Sequence, residues 1–176
     1  VAVLIKNVSM TPQRIVCLTE EATEWLYLLG EDARIVGISG YTVRPRRARE
    51  EKPKVSAFLS AKIDKIVELR PDCVIGFSDL QADIASALIK QGIQVTVFNQ
   101  RSVAEIFSML YQVAAMVGEA EQGLARIAAM PNVLIIKGDS PIKSVAELVA
   151  FCKANPARAN FSSAGSGTSS HLSGLL

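Results

Sequence analysis

The chain has 176 residues, 49% of them hydrophobic and 20% charged, which is a globular rather than a disordered composition and enough for one domain of ordinary size. The net charge of +2 gives no bulk electrostatic case for nucleic acid or an anionic membrane as a partner. No apolar run reaches the roughly 18 residues that a membrane-spanning helix needs.

Val1 to Ile5 are apolar and Lys6 follows, but there is no basic n-region, full-length apolar h-region or small-residue cleavage site, so no signal peptide is expected here. Arg14 to Leu18 reads as a strand rich in β-branched residues. Thr19 is placed to cap a helix with Glu20 and Glu21 in its first turn, where carboxylates suit the helix dipole, and Gly30 stops it. Arg34 to Ile38 is the second strand. Ser39 to Lys54, with Pro45 and Pro53, reads as a long polar loop, and Val55 to Phe58 as a short extended piece.

Ser60 is expected to cap a helix to Arg70, which Pro71 ends. Cys73 to Phe77 is a strand, Asp79 caps a helix through Gln91, Gly92 stops it, and Val95 to Phe98 is another strand. Ser102-Val103-Ala104-Glu105 is a capping box. Its helix is predicted to run to about Ala129, roughly 40 Å at 1.5 Å per residue, with Gly118 and Gly123 as weak points and Pro131 as its end.

A shorter unit follows: a strand over Asn132 to Ile136, a second capping box at Ser144 to Glu147 opening a helix to about Ala154, and a strand over Asn160 to Ser163. A Gly/Ser turn and the start of a helix at Ser169 close it. Strand–helix alternation at this spacing predicts an α/β fold, a mainly parallel Rossmann-like sheet with helices on both faces.

The three cysteines, Cys17, Cys73 and Cys152, are odd in number and show no CxxC spacing; Cys17 and Cys73 fall in predicted strands and read as small core groups. His171 is the one histidine and has no cysteine near it, so no metal site is expected. Trp25, at helical spacing with Leu28 and Leu29, reads as core. Arg44, Arg46, Arg47 and Arg49, followed at once by Glu50 and Glu51, read as a solvated loop.

Three segments carry a family resemblance: PQRIVCLTEEATEWLYLLG, RIVGISGYTVRPRRAREEKPKVSAF and KIDKIVELRPDCVIGFSDLQADIASALIKQGIQVTVFNQRSVAEI. Together, from Pro12 to about Ala128, they resemble the cobalamin-binding, BtuF-like branch of the ABC-transporter receptors. That resemblance implies a periplasmic-binding-protein lobe over 12–101, a long bridging helix over 102–130, and a corrinoid or siderophore held in a cleft between two lobes.

From about Pro131 the marks SPIKSVAEL, KANP and SSAGSGTSSHL look like the tripartite tricarboxylate receptors (Bug, or TctC-like), which implies a small carboxylate as ligand. Residues 131–176 then form a partial second α/β unit, either extending the sheet or standing as a small lobe. The chain reads as composite or truncated.

Ligands of open α/β sheets bind at the C-terminal ends of the strands. Here those positions hold Glu20, Tyr41, Phe58, Phe77, Ser78 and Asp79. Flat aromatic faces suit a corrin rim, although Phe58 and Phe77 equally fit as loop anchors. By resemblance, Asp64 matches an acid that docks on arginines of a membrane ABC permease. The turn Ser163, Gly165, Ser166, Gly167 and Thr168 offers backbone N–H groups ahead of a helix, a setting for an anion.

No catalytic constellation accompanies these residues: no GxGxxG follows the first strand, and His171 has no acid placed to complete a triad. The expectation is a solute-binding module of an uptake system, not an enzyme, with cobalamin as transported ligand rather than cofactor and an extracytoplasmic location by resemblance. A fragment with no tight ligand, whose exposed cleft face drives self-association, is the alternative.

Overall fold

The computed structural model describes residues 9–130 and 139–155. The chain divides into two compact units, one of Val1–Arg101 with Glu105–Ala129, the other of Ser102–Ala104 with Met130–Leu176. The first unit is built on five strands: β1 (Ile15–Cys17), β2 (Ile35–Ser39), β3 (Lys54–Ser56), β4 (Cys73–Phe77) and β5 (Val95–Phe98). Their order is β3-β2-β1-β4-β5 and each neighbouring pair is parallel, as the strand–helix alternation predicts. The chain winds outward from β1 to β3, then crosses back to lay β4 on the other side of β1. That reversal creates a topological switch point at the C-terminal ends of β1 and β4.

Side chains alternate between the sheet's faces, and both faces are covered. Ile15, Cys17, Cys73 and Ile75 pack with α1 (Glu20–Leu29), α2 (Arg46–Glu51) and α5 (Val103–Val117), through residues including Trp25, Leu26, Ala48, Leu110 and Val113. Val16, Leu18 and Val74 pack on the opposite face with Ile66 of α3 (Ile63–Glu68) and with Ile84 and Leu88 of α4 (Ala82–Lys90). Ala22, Trp25, Leu26 and Leu29 of α1 recur at the i, i+3, i+4, i+7 spacing of one helix face. Trp25 is core as read, and its indole N–H donates to the Leu110 carbonyl at 2.7 Å, tying α1 to α5.

Several local expectations are corrected. The Ser39 to Lys54 stretch is not all loop. Residues Arg46–Glu51 form α2 because Ala48 is buried, while Arg46–Glu50 and Arg47–Glu51 pair at i,i+4. Ser60 does not cap a helix. Its carbonyl accepts from the Ala57 N–H at 2.8 Å and Ala61 bridges Ser56, so the chain turns back before α3 begins at Ile63.

Asp79 does not cap either. Ser78 does, its hydroxyl accepting from the Leu80 N–H at 3.2 Å to open a 3-10 turn over Asp79–Gln81 ahead of α4. Thr19 holds the cap position of α1 in extended conformation, but its side chain makes no capping bond. The helix from Ser102 stops at Val117, because Gly118 adopts φ 91° and the Glu119 N–H closes back on Ala114 at 2.8 Å. A separate α6 (Ala120–Ala128) follows, and a Cβ on its Gly123 would overlap that of Ala114, so this glycine lets the two helices touch. The helix α5 packs against the lobe, one of the two courses open to it, and buries Met109, Leu110, Val113, Ala114 and Val117 there.

In the second unit α7 (Val145–Ala154) matches its predicted span. Ser144 accepts from the Glu147 N–H at 3.2 Å, and Glu147 reaches back to the Lys143 N–H at 2.6 Å. The expected strands over 132–136 and 160–163, the turn over 163–168 and the helix from 169 lie outside the described residues.

The switch point is closed by one side chain. Gln81, 1% exposed, accepts from the Phe77 N–H (2.9 Å) and donates to the carbonyls of Leu18 (3.4 Å) and Phe58 (3.0 Å). A single amide thus joins the ends of β1 and β4 to the loop after β3. Gly76 makes room for it, since a Cβ there would stand 3.0 Å from the Gln81 Oε1.

Gln81→Leu strips the partner from three backbone groups. At about 1–3 kcal/mol for each buried group left unsatisfied, we expect a loss of about 3 kcal/mol, read as a lower urea midpoint at unchanged slope. Gly123→Ala overpacks the α5–α6 contact and should cost about 1–3 kcal/mol in the same assay. Burial pushes the Cys17 thiol from 9.0 up to about 12. The unfolded thiol therefore ionises first as pH rises. Stability contributed by the neutral thiol is full below pH 9 and falls as pH climbs toward about 12, so urea midpoints should decline over that window and decline less in Cys17→Ala.

Candidate functional site

Because all five strands run the same way, their C-terminal ends share one edge, and the loops leaving that edge bring most of the predicted site residues to it. Glu20 opens α1 just past β1. Tyr41 follows β2, Phe58 follows β3, and Phe77 ends β4 with Ser78 and Asp79 behind it. The edge carries exposed apolar side chains: Tyr41 is 65%, Val43 63%, Leu59 65% and Leu80 53% exposed. Val43, Leu59 and Leu80 were not singled out from the sequence. Val43 had a signal, an apolar residue without periodicity inside a polar loop; Leu59 and Leu80 had none, since they adjoin an expected strand and an expected helix start.

Phe58 and Phe77 form a tilted pair, with ring centroids 6.3 Å apart and an interplanar angle of 44°. The Arg101 guanidinium lies 5.6 Å from the Phe77 ring centroid and pairs with Asp79 at 3.0 Å. Arg101 was not singled out from the sequence, although a cation shortly after the strand at Val95–Phe98 was the available clue.

Glu20 is held elsewhere on the edge: the Arg44 Nε lies 3.9 Å from it and 3.2 Å from Glu24. Arg46 stands exposed, as read, whereas Arg47 and Arg49 are anchored. Arg49 donates to the carbonyls of Gly40 (3.0 Å) and Thr42 (2.5 Å), and Arg47 pairs with Asp32 and Glu51 while lying 5.2 Å from the Tyr27 ring centroid.

Ser78 is only 1% exposed and its hydroxyl is committed to the Leu80 N–H, so it shapes the loop from within. Asp64 stands exposed in the first turn of α3. Ser163, Gly165, Ser166, Gly167 and Thr168 lie outside the described residues.

Two hollows adjoin this edge. One, about 570 Å³, runs between α4 and β5, lined by Ser78, Asp79, Ala82, Ala85, Ser86, Ile89, Lys90, Val97 and Asn99. The other, about 200 Å³, lies between the end of β5 and α5, lined by Phe98, Asn99, Gln100, Glu105, Ser108, Met109 and Gln112. The Cys73 thiol, like that of Cys17, is raised by burial, which leaves both as neutral core groups with no reactive thiolate at neutral pH. Among the described residues no group of three or more His, Cys, Asp or Glu is placed to hold a metal ion, and no helix is long and apolar enough to cross a membrane.

The model of the periplasmic binding protein family matches residues 15–132, and that of the tripartite tricarboxylate transporter family receptors matches residues 96–174. An ABC transporter substrate-binding lipoprotein of Bacillus subtilis (strain 168), YvrC, is 28% identical over 117 residues, covering 65% of this chain and 36% of its own. The periplasmic vitamin B12 binding protein BtuF of Vibrio cholerae superposes with a TM-score of 0.58 at 25% identity, over 65% of this chain and 45% of that one. A periplasmic heme binding protein of Pseudomonas aeruginosa gives a TM-score of 0.60 at 23% identity, over 65% of this chain and 41% of its own. The chain thus spans less than half the length of each of these relatives. With more than half of its residues matched by one family model, and with that family's parallel-sheet lobe, the chain belongs to the periplasmic binding protein family.

Proposed function

We propose that residues 12–101 form the ligand-contacting lobe of a solute-binding receptor for an ABC uptake transporter, and that its ligand is cobalamin or a related corrinoid. The observation that carries this reading is the Phe58–Phe77 pair at the C-terminal edge, flanked by exposed Tyr41, Leu59 and Leu80. An apolar surface of this kind, standing at the switch point of a parallel sheet, suits a large flat ligand better than a small polar one. The likeness to a vitamin B12 binding protein and to a lipoprotein of an ABC transporter supports it.

In this reading Glu20, Tyr41, Phe58, Phe77 and Asp79 meet the ligand, while Ser78 holds the loop that presents two of them. Asp64, exposed on α3, docks on a cation of the membrane permease. The lobe works outside the cytoplasmic membrane and carries out no catalysis. A second reading takes its support from the family match over 96–174: residues 131–176 are a piece of a carboxylate receptor, in which Ser163, Gly165, Ser166, Gly167 and Thr168 hold an anion.

Equilibrium titration with cyanocobalamin, with hemin and citrate in parallel, separates these readings. We expect cyanocobalamin to bind with about micromolar affinity or better and to weaken about tenfold, or about 1.4 kcal/mol, in Phe58→Ala and in Phe77→Ala. Citrate binding alone would move the assignment to the carboxylate reading. A cooperative thermal melt with no binding of any of the three would overturn the receptor assignment for this lobe.

A further inference from the structure

The two edges of the sheet are finished differently. β3 is blunted: Pro53 removes an N–H just ahead of it, Lys54 stands exposed on it, and the chain turns back so that the Lys62 N–H donates to the Val55 carbonyl at 2.8 Å. Devices of this kind keep an edge strand from pairing with another chain. β5 carries none of them. Val95-Thr96-Val97-Phe98 has no charge and no proline, its register on β4 runs without a bulge, and among the described residues it pairs with β4 alone.

The backbone groups on its outer side follow from the ladder. The Gln94 and Phe98 carbonyls accept from the Val74 and Ser78 N–H groups at 2.9 and 2.6 Å, so Val95 and Val97 turn their own N–H and C=O groups away from β4. Beside them lies the larger hollow, whose wall is one face of α4, with Ala82, Ser86 and Ile89 at i, i+4 and i+7. Ile89 is 59% and Val97 42% exposed, so the strand edge and the helix face together leave an apolar surface open.

We propose that this surface is the interface of a two-fold homodimer, in which β5 pairs antiparallel with β5 of a second copy and joins the two sheets into one. With the axis at Thr96, Val95 stands opposite Val97 of the second copy, and each such pair exchanges both backbone hydrogen bonds. The same axis lays the two α4 helices antiparallel across the seam. Charge favours a copy of the chain as the occupant. Asp83 lies at the N-terminal end of α4 and Lys90 at its C-terminal end, both exposed and neither in an ion pair among the described residues. An antiparallel partner sets each acid toward the other copy's lysine, whereas a parallel one sets like charge on like. The C-terminal edges of the two sheets then point in opposite directions, so pairing leaves the proposed ligand edge of each copy open.

Sedimentation equilibrium over a wide concentration range, combined with amide hydrogen exchange, tests this. We expect a dimer with a dissociation constant of about micromolar, weakened at least about tenfold by Val97→Lys, which puts a charge on the edge. Lys90→Glu should weaken it too, and adding Asp83→Lys to that variant should restore it, a rescue that a folding defect would not show. The Val95 and Val97 amides should exchange slowly only where the dimer forms. A monomer at every concentration overturns the proposal, as does a dimer that Val97→Lys and Lys90→Glu both leave unchanged. Slow exchange of these two amides in the monomer overturns it as well, and assigns the edge to another segment of the same chain.

Discussion

The mouth of this lobe depends on one buried amide. Parallel strands meet their neighbours through backbone ladders, but the ladders end where the strands end, and a switch point is where the loops diverge most. Gln81 fills that gap from the 3-10 turn after β4, satisfying an N–H of β4 and carbonyls beyond β1 and β3. Leaving any of these unpaired away from water would cost more than the net gain of an ordinary hydrogen bond. The amide therefore acts less as glue than as a condition on geometry: the loops after β1, β3 and β4 are in place together or not at all. Phe58 and Phe77 stand at two of its three attachment points, so their ring separation follows from a core interaction rather than from contact between the rings.

Much of this was legible in the sequence because it rests on periodicity. Val- and Ile-rich runs set each of the five described strands within a residue or two, and the strand–helix alternation predicted their parallel pairing. The capping box at Ser144 was legible because its logic is local. What escaped depended on contacts that periodicity does not report. Ser60 looked like a cap only until its carbonyl was seen to be engaged by Ala57. The helix at Arg46–Glu51 was hidden because its stability comes from burial of Ala48 and from charge pairs, including one with Asp32, inside a stretch whose composition reads as loop. Gln81 gave no signal at all, since a lone glutamine early in a helix is ordinary until three strand ends are known to converge on it.

The charges of the edge follow from the same placement. Arg44 leaves the basic cluster to lie beside Glu20 and Glu24, while Arg101 spans Asp79 and the face of Phe77. In all three pairs the arginine is well exposed, and such pairs contribute at most about 1 kcal/mol each. Their consequence is positional. Each places a long cationic side chain against an apolar or acidic rim without burying it.

Ser78 shows what the lobe spends to hold this arrangement. At φ 57° and ψ 176° it occupies a region used almost entirely by glycine, a strain of about 1–3 kcal/mol. Every polar group around it is engaged: its N–H donates to the Phe98 carbonyl at 2.6 Å, its carbonyl accepts from the Gln81 N–H at 3.2 Å, and its hydroxyl caps Leu80. The bend lets Phe77 finish β4, sends Asp79 outward to Arg101 and folds Gln81 back into the core within five residues. A loop fixed on so many sides has little conformational freedom left, and the cost of ordering it is met during folding. The strain, the buried amide and the half-buried aromatic pair are parts of one arrangement, a stiff edge set during folding.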